Sequence, residues 1–219
     1  KKDIEKDFGV SSKNIFVIPN GIDHERFSPL KKIQRTPGQI ITTASADVPL
    51  KGLDFTLHAV ASLKQDYPKI RLIIIGAPRP GGHSERLIQK LNIEANISYK
   101  TNLTREEIAI EYAHSNIAIV SSLYEGFGFP VGEAMACGIP LIATNVASIP
   151  EITGPFAELI SAENSQEIES SIRKIFISSE KFQTRANEGR QHIIDNFDWQ
   201  KIAKLYEELI HQTIKNFKC

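Results

Sequence analysis

Two glutamates, Glu125 and Glu133, are separated by seven residues in a stretch rich in glycine and proline, residues 124–144 (YEGFGFPVGEAMACGIPLIAT). Gly126 and Gly128 let the backbone approach a ligand closely. The helix predicted after them has free N–H groups at its N-terminus, and such groups attract phosphate. One carboxylate can face the ligand of the loop while the other accepts hydrogen bonds from hydroxyls beside it. The alternative is an ordinary strand–turn–helix connection with two solvated glutamates, which the glutamates alone would favour.

The residues on either side of this stretch indicate the elements that position it. Residues 116–122 (NIAIVSS) predict a buried strand, and residues 140–144 (PLIAT) predict the next strand. Pro130 suits the first turn of a helix, where its missing N–H group is not needed. Gly138 suits the position just past the helix end, where a positive φ is often required. We therefore expect a strand, a glycine-rich loop, a short helix and a second strand.

The same alternation extends through the middle of the chain. Further strands are predicted at residues 40–45, 71–76, 97–100 and 157–160, with helices beginning near Gly52, Ser84 and Thr104. This order predicts an α/β fold with a doubly wound, Rossmann-like parallel sheet. Ligands of such sheets bind at the carboxyl ends of the strands. We therefore expect the loops 46–52, 76–82, 100–104 and 124–130 to lie together at one edge.

The two ends of the chain carry weaker patterns. Near the start we predict a helix at residues 2–9, a strand at residues 15–18 (IFVI), a turn at residues 19–21 and a loop at residues 28–38. Near the end we predict a helix from Ser165, as its N-cap, to about residue 178, and a second helix over residues 181–196. Asp198 is expected to cap a last helix, whose apolar stripe from Trp199 to Phe217 is interpreted as the core face of a terminal helix.

Composition and charge exclude several classes of protein and indicate where this one is located. The 219 residues hold 26 Lys and Arg and 26 Asp and Glu, so the net charge of zero argues against a nucleic-acid partner. We expect no transmembrane segment, because no apolar run approaches the length of a membrane span, and the first ten residues lack a signal-peptide core. Cys137 is predicted to be a buried thiol and Cys219 is the last residue, so a reducing, cytoplasmic location is expected. The six histidines are dispersed without ligand spacing.

Residues 125–140 (EGFGFPVGEAMACGIP) resemble the E-x7-E motif of retaining glycosyltransferases, most closely family 4, or group 1. The glutamate spacing, the glycine–aromatic–glycine loop, the proline and the EAMACGxP helix all agree. Residues 19–27 (PNGIDHERF) resemble the segment that enters the second domain in that family, with a plain turn as the alternative. The family fold, GT-B, has two Rossmann-like domains, and the chain resembles the second, donor-binding domain from end to end.

This resemblance implies a domain organisation. Residues 1–38 would be an entry segment derived from the inter-domain linker, and residues 39–196 would be the Rossmann-like domain that binds a nucleotide sugar. Residues 197–219 would form a C-terminal helix, which in the family crosses back towards the first domain.

The resemblance also implies the roles of individual residues. Glu125 would hold hydroxyls of the donor sugar and support the transferring centre, Glu133 would accept hydrogen bonds from the ribose diol, and Lys51 would neutralise the diphosphate. The remaining donor-binding set comprises the loop and helix start, Gly126, Phe127, Gly128, Phe129 and Pro130, and the residues that would line the base, Lys100, Thr101 and Leu103.

The loop around Lys51 departs from the family pattern, which is usually G-R-L-x-P-E-K-G. Residues 45–52 (SADVPLKG) keep Pro49, Lys51 and Gly52, but Ala46 stands where the family has an arginine. In the family that arginine and the lysine together hold the donor diphosphate, and its absence here could mark a subgroup that uses another cation, supplied by a part of the protein outside these residues. Without the resemblance, the position of Lys51 in the sequence would indicate a solvated surface lysine.

The expected function is that of a retaining glycosyltransferase domain that binds a nucleotide-diphosphate sugar for transfer to an acceptor hydroxyl. No cofactor and no metal are expected. The acceptor, a glycan, lipid or small molecule, would be presented by an N-terminal domain outside these residues. The fragment alone would then be inactive, and the full-length protein could associate peripherally with a membrane. The alternatives are a non-catalytic nucleotide-sugar-binding or scaffold domain, a sugar-nucleotide epimerase of the same architecture, and a glycoside hydrolase that uses Glu125 and Glu133 as its carboxylate pair.

Overall fold

A six-stranded parallel sheet forms the centre of the computed structural model, which describes residues 1–30, 32–44 and 47–217. The strand order is β3-β2-β1-β4-β5-β6. The strands are β1 (Gln39–Thr43), β2 (Arg71–Ile75), β3 (Ile97–Lys100), β4 (Ile117–Val120), β5 (Leu141–Thr144) and β6 (Glu158–Ile160). The order reverses direction between β1 and β4, which places a crevice at the carboxyl ends of these two strands. The predicted doubly wound parallel sheet is therefore confirmed.

Helices cover both faces of this sheet. In the described residues the helices of the chain are α1 (Lys2–Phe8), α2 (Leu53–Leu63), α3 (His83–Lys90), α4 (Arg105–His114), α5 (Phe129–Ala136), α6 (Ile149–Thr153), α7 (Ser165–Ile177), α8 (Ser179–Asn196) and α9 (Trp199–Phe217). Alternate residues of the central strand serve opposite faces, because successive side chains of a strand point to opposite sides. Ile117 and Ile119 pack with α2 and α7, whereas Ala118 and Val120 pack with α4 and α5. All four strand residues are buried.

The ends of the helices next to the site follow the predicted capping chemistry. Thr104 Oγ1 accepts a hydrogen bond from Glu107 N at 3.2 Å, and Thr104 N donates to Glu107 Oε2 at 2.7 Å, which completes a capping box at the start of α4. Pro130 lies in the first turn of α5, and Gly138 follows that helix with φ +63°.

The predicted cap at Ser165 is wrong. Asn164 caps α7 instead, accepting from Glu167 N at 3.0 Å, because it stands one residue earlier with a side-chain oxygen that reaches that amide.

The segment before the sheet differs from the sequence prediction. Residues 15–18 form no strand, because no neighbouring strand pairs with them, and Phe16 and Val17 are exposed. The predicted turn at residues 19–21 is absent as well, and the turn falls at residues 24–26. Ile22 instead donates its N–H to Phe197 O at 2.6 Å and is buried against Gly132 of α5. This contact fixes the segment before the sheet to the helix that follows the glycine-rich loop.

The last helix is also placed differently. Asp198 caps it as predicted, with Oδ1 accepting from Lys201 N at 2.9 Å. Its apolar stripe is not a core face, because most of the stripe lies on the surface: Ile202 is buried, whereas Trp199, Leu205, Tyr206, Ile210 and Ile214 are 45–56% exposed. The helix α6 was missed, because its five residues follow a loop and lack a helical repeat. Ser45, Ala46 and Cys219 lie outside the described residues.

Gly52 should be intolerant of a side chain. It follows Lys51 with φ +61°, and a Cβ atom there would lie against the carbonyl oxygen of Ser121, at the end of β4. We expect Gly52→Ala to lower the free energy of unfolding by about 2–4 kcal/mol, because a left-handed backbone and an overpacked contact both cost energy. Urea denaturation measures the change. Gly126→Ala is the matched control, since its Cβ would meet nothing within 4 Å. Equal stability of the two variants would contradict the described packing.

Candidate functional site

An ion pair joins the loops that follow β1 and β4. Lys51 Nζ lies 2.6 Å from Glu125 Oε1, and the two side chains are 28% and 11% exposed. Ser122 Oγ donates to the same carboxylate oxygen at 2.7 Å. Within residues 1–30, 32–44 and 47–217, the second oxygen, Oε2, accepts no hydrogen bond. The pair therefore places a shielded ammonium beside a carboxylate oxygen that can still accept a hydrogen bond from a hydroxyl.

The glycine-rich loop presents backbone donors next to this pair. The N–H groups of residues 126–129 have no hydrogen-bond partner in the described part of the chain. Gly128 has φ +93° and is the N-cap of α5. Ser148 Oγ contacts Glu125 O at 3.0 Å and Phe127 O at 2.8 Å, so it holds the carbonyl oxygens of the loop. Free N–H groups at a helix N-terminus are suited to an anion such as phosphate.

Glu133 lies one turn further along α5, and it is only 14% exposed. Burial raises its pKa to about 7, and the guanidinium of Arg105 opposes that rise from 3.3 Å away. Arg105 also lies over the ring of Phe27, 5.3 Å from the ring centre. Near neutral pH this carboxyl is therefore divided between its protonated and ionised forms. The ionised form is the one that accepts hydrogen bonds at both oxygens.

The segment predicted to line a base lies at the carboxyl end of β3. Lys100 Nζ is 3.3 Å from Glu111 Oε1, so its ammonium is held by α4. Thr101 is exposed and Leu103 is partly buried. Arg105 connects this segment to Glu133, whereas none of the three predicted residues contacts the Lys51–Glu125 pair through a described hydrogen bond or ion pair.

The loops after β1 and β2 are also joined, as the parallel sheet predicts. Asp47 accepts hydrogen bonds from Ser84 N at 2.7 Å and from Ser84 Oγ at 2.9 Å. These bonds, the backbone one first, hold the pKa of Asp47 below its usual range. A cavity of about 340 Å³ lies between this junction and the start of α2. The four loops that follow strands thus share one edge of the sheet.

Sequence reasoning missed two residues of this site, Arg105 and Ser148. Arg105 is the first residue of α4, directly after the cap Thr104, and Ser148 lies in the loop after β5. Both follow strands, so the rule that ligands bind at carboxyl ends could have indicated them. Ala46, where the family has an arginine, lies outside the described residues, as does Ser45.

Clustered metal ligands and membrane-spanning helices are both absent from the described residues. No group of three or more His, Cys, Asp or Glu side chains is arranged to hold a metal ion there. None of the described helices is long and apolar enough to span a membrane. Cys137 is buried as predicted, and burial raises the pKa of its thiol.

Comparison with known proteins identifies relatives of the chain. Residues 29–192 match the family of glycosyl transferases group 1. The chain is 35% identical over 215 residues to an MMP alpha-(1→4)-mannosyltransferase from Mycolicibacterium hassiacum, a match that covers 95% of this chain and 52% of that protein. The chain thus spans about half the length of the curated relatives it matches.

Solved structures show the same fold at lower sequence identity. A sucrose-phosphate synthase from Thermosynechococcus elongatus superposes with a TM-score of 0.86 at 23% identity, over 98% of this chain and 56% of that one. Anabaena Alr3699/HepE in complex with UDP-glucose gives a TM-score of 0.81 at 21% identity, over 94% of this chain and 60% of that one.

The equilibrium between the protonated and ionised forms of Glu133 can be measured directly. Because burial raises the pKa of this carboxyl and Arg105 lowers it, we expect a titration midpoint near pH 7 and a higher midpoint in Arg105→Gln. Carboxyl ¹³C NMR of the glutamates measures both midpoints. Arg173→Gln, which removes an arginine paired with Asp66 and Glu169 elsewhere, is the control and should leave the midpoint unchanged. A Glu133 midpoint near that of a solvated glutamate would refute the assignment.

Proposed function

Because the chain belongs to the group 1 glycosyl transferases, we propose that it forms the donor-binding half of a GT-B enzyme and binds a nucleotide-diphosphate sugar. The main observation that supports this proposal is the Lys51–Glu125 pair, which lies beside the free N–H groups of residues 126–129. A mannosyltransferase is among its relatives, and a protein of the same fold holds UDP-glucose. In this proposal residues 39–196 bind the donor, residues 1–38 are the entry segment and residues 197–219 cross back to the other half.

The residues at the carboxyl edge of the sheet are best suited to the diphosphate of the donor. Lys51 carries a point charge on a flexible stem, and in this proposal it turns from Glu125 Oε1 towards a phosphate. The N–H groups of Gly126, Phe127 and Gly128, with the start of α5 at Phe129 and Pro130, would contact the distal phosphate and sugar. These groups are held in place before the donor arrives, so they would stabilise the charge that develops on the departing diphosphate.

The two glutamates divide the hydroxyls of the donor between them in this proposal. Glu125 Oε2 would accept from hydroxyls of the sugar, because its other oxygen is held by Lys51 and Ser122. Glu133 would accept from the ribose diol in its ionised form. Arg105 favours that form and supplies a cation on the side of the site where Lys100, Thr101 and Leu103 would line the base.

The proposed reaction transfers the sugar to an acceptor hydroxyl. The bond between the anomeric carbon and the diphosphate oxygen breaks, the acceptor oxygen bonds to that carbon with retention of configuration, and the proton of the acceptor hydroxyl passes to the departing diphosphate. We propose that no metal or cofactor takes part, since Lys51, the loop N–H groups and the start of α5 supply the positive potential. The acceptor, a glycan, lipid or small molecule, would be presented by a part of the enzyme outside these residues, so the chain alone would bind the donor without transfer.

Nucleotide binding tests the roles of the charged residues. Isothermal titration calorimetry with UDP, GDP and ADP should identify one preferred diphosphate. Its affinity should fall about tenfold or more in Lys51→Ala, which removes a charge-assisted contact, and similarly in Glu133→Ala. Lys174→Ala, which removes an exposed lysine paired with Glu158, is the matched control and should bind as the wild type does. Unchanged affinity in both site variants would refute the proposed roles.

The pH dependence of binding tests Glu133 separately. Its pKa of about 7 means that the carboxylate is increasingly protonated below neutral pH, when it loses acceptor capacity. Affinity for the preferred diphosphate should therefore decline from pH 8 to pH 6 by up to about tenfold in total, because the ionised fraction of the carboxyl falls by that factor across a pKa of about 7. Glu133→Gln, which cannot ionise, should show only the shallower dependence that the nucleotide itself contributes. Parallel pH profiles for the two proteins would contradict the role of the ionised carboxylate.

A further inference from the structure

A second cavity lies at the opposite edge of the sheet from the donor loops. Its volume is about 820 Å³, and residues that precede β1, β2, β4 and β5 form its floor. Tyr67, just after α2, and Phe176 of α7 form one wall, with ring centres 5.0 Å apart and planes inclined at 54°. Arg35 and Gln183 lie on another side. The cavity is therefore lined by two aromatic rings and by four charged side chains, which are the guanidinium of Arg35, the exposed Lys69 and the acidic Asp66 and Glu180.

Arg35 is a partly buried cation with neutral partners. Its Nη1 donates to Gln183 Oε1 at 2.6 Å and its Nη2 donates to Gly138 O at 2.9 Å. No carboxylate forms an ion pair with it in the described part of the chain, whereas Arg105, Arg173 and Arg185 each have one within 3.3 Å. A guanidinium carries five N–H donors, so these two hydrogen bonds leave capacity for a third partner. A buried cation is costly without a counter-charge.

The acidic side chains around the cavity do not supply that counter-charge. Asp66 lines the cavity, but its carboxylate is paired with Arg173 Nη2 at 2.7 Å. Glu180 also lines the cavity, but it is exposed and makes no ion pair with Arg35. Burial lowers the pKa of Arg35.

Arg190, in the same region, is an arginine with a purely structural role and can be compared with Arg35. It donates to the carbonyl oxygens of Phe27 and Ala136 and lines none of the cavities described above. Arg35 likewise binds a carbonyl at the end of α5, and a cation there suits the helix dipole. Unlike Arg190, it stands at an 820 Å³ cavity beside two aromatic rings. The structural role alone does not account for that setting.

We propose that this cavity binds a small organic anion, in which a single carboxylate, sulfonate or phosphate group is carried on an aromatic body. The anionic group pairs with Arg35, and the aromatic body packs against Tyr67 and Phe176. The site lies at the amino edge of the sheet and the donor loops lie at the carboxyl edge, so the two ligands do not compete. The proposal does not depend on the proposed donor function.

The probe for the test is 8-anilinonaphthalene-1-sulfonate, an aromatic sulfonate whose fluorescence rises in apolar surroundings. We expect saturable binding with one site per chain, and about tenfold or more weaker binding to Arg35→Gln, which loses the charged donor. Arg185→Gln is the matched control, because Arg185 also lies over an aromatic ring, that of Phe182, but is paired with Glu158. It should bind the probe as the wild type does. N-phenyl-1-naphthylamine, which has a similar body without the sulfonate, should bind weakly to all three proteins.

A second measurement serves if Arg35→Gln does not fold. In wild-type protein, amide ¹H–¹⁵N spectra should show the probe shifting Gly38, Ile70 and Gln183, which line the cavity, and leaving Gly126 at the donor edge unshifted. The proposal is overturned if the probe shifts the donor loop instead, if Arg35→Gln binds it as tightly as the wild type, or if the neutral analogue binds equally well. Absence of saturable binding overturns it as well.

Discussion

The ion pair between Lys51 and Glu125 is the contact on which the candidate site depends. It spans the crevice between the loops after β1 and β4, where the strand order of the sheet reverses. Close packing maintains that approach, since Gly52 leaves no room for a Cβ atom beside Ser121, whose hydroxyl contacts the carbonyls of Lys51 and Gly52. The parallel sheet therefore brings a cation and a carboxylate, 74 residues apart in sequence, to one point.

The short helix α5 connects the parts of the molecule that the site requires. Its N-terminus carries the glycine-rich loop and Glu133 lies on its second turn. Arg190 holds the carbonyl of Ala136, its last residue, and Arg35 holds the carbonyl of Gly138, two residues beyond. Ile22, in the segment before the sheet, packs against its glycine at position 132. Because so many contacts converge on eight residues, the free N–H groups at its start are held in a fixed orientation. Such fixed donors need little reorganisation when an anion binds.

The sequence was most informative where a local pattern and a long-range requirement coincide. The strand runs, the capping box at Thr104, the glycine at position 138 and the position of Lys51 could all be predicted, because each follows from local chemistry or from the rule for parallel sheets. Arg105 could not be paired with Glu133, since that contact depends on how α4 packs beside α5. The raised pKa of Glu133 depends on burial, which spacing does not reveal. The wrong strand at residues 15–18 shows that an apolar run forms a strand only where a partner strand exists.

Joint binding of a diphosphate by the N–H groups of the glycine-rich loop and the Lys51–Glu125 pair can be observed in the amide ¹H–¹⁵N spectrum of the chain with saturating UDP, GDP or ADP. We expect the amide protons of Gly126, Phe127, Gly128 and Phe129 to move downfield with one of these nucleotides, because each gains an anionic acceptor. If those four resonances stay in place while calorimetry shows saturation, the nucleotide binds elsewhere and the loop does not hold the diphosphate.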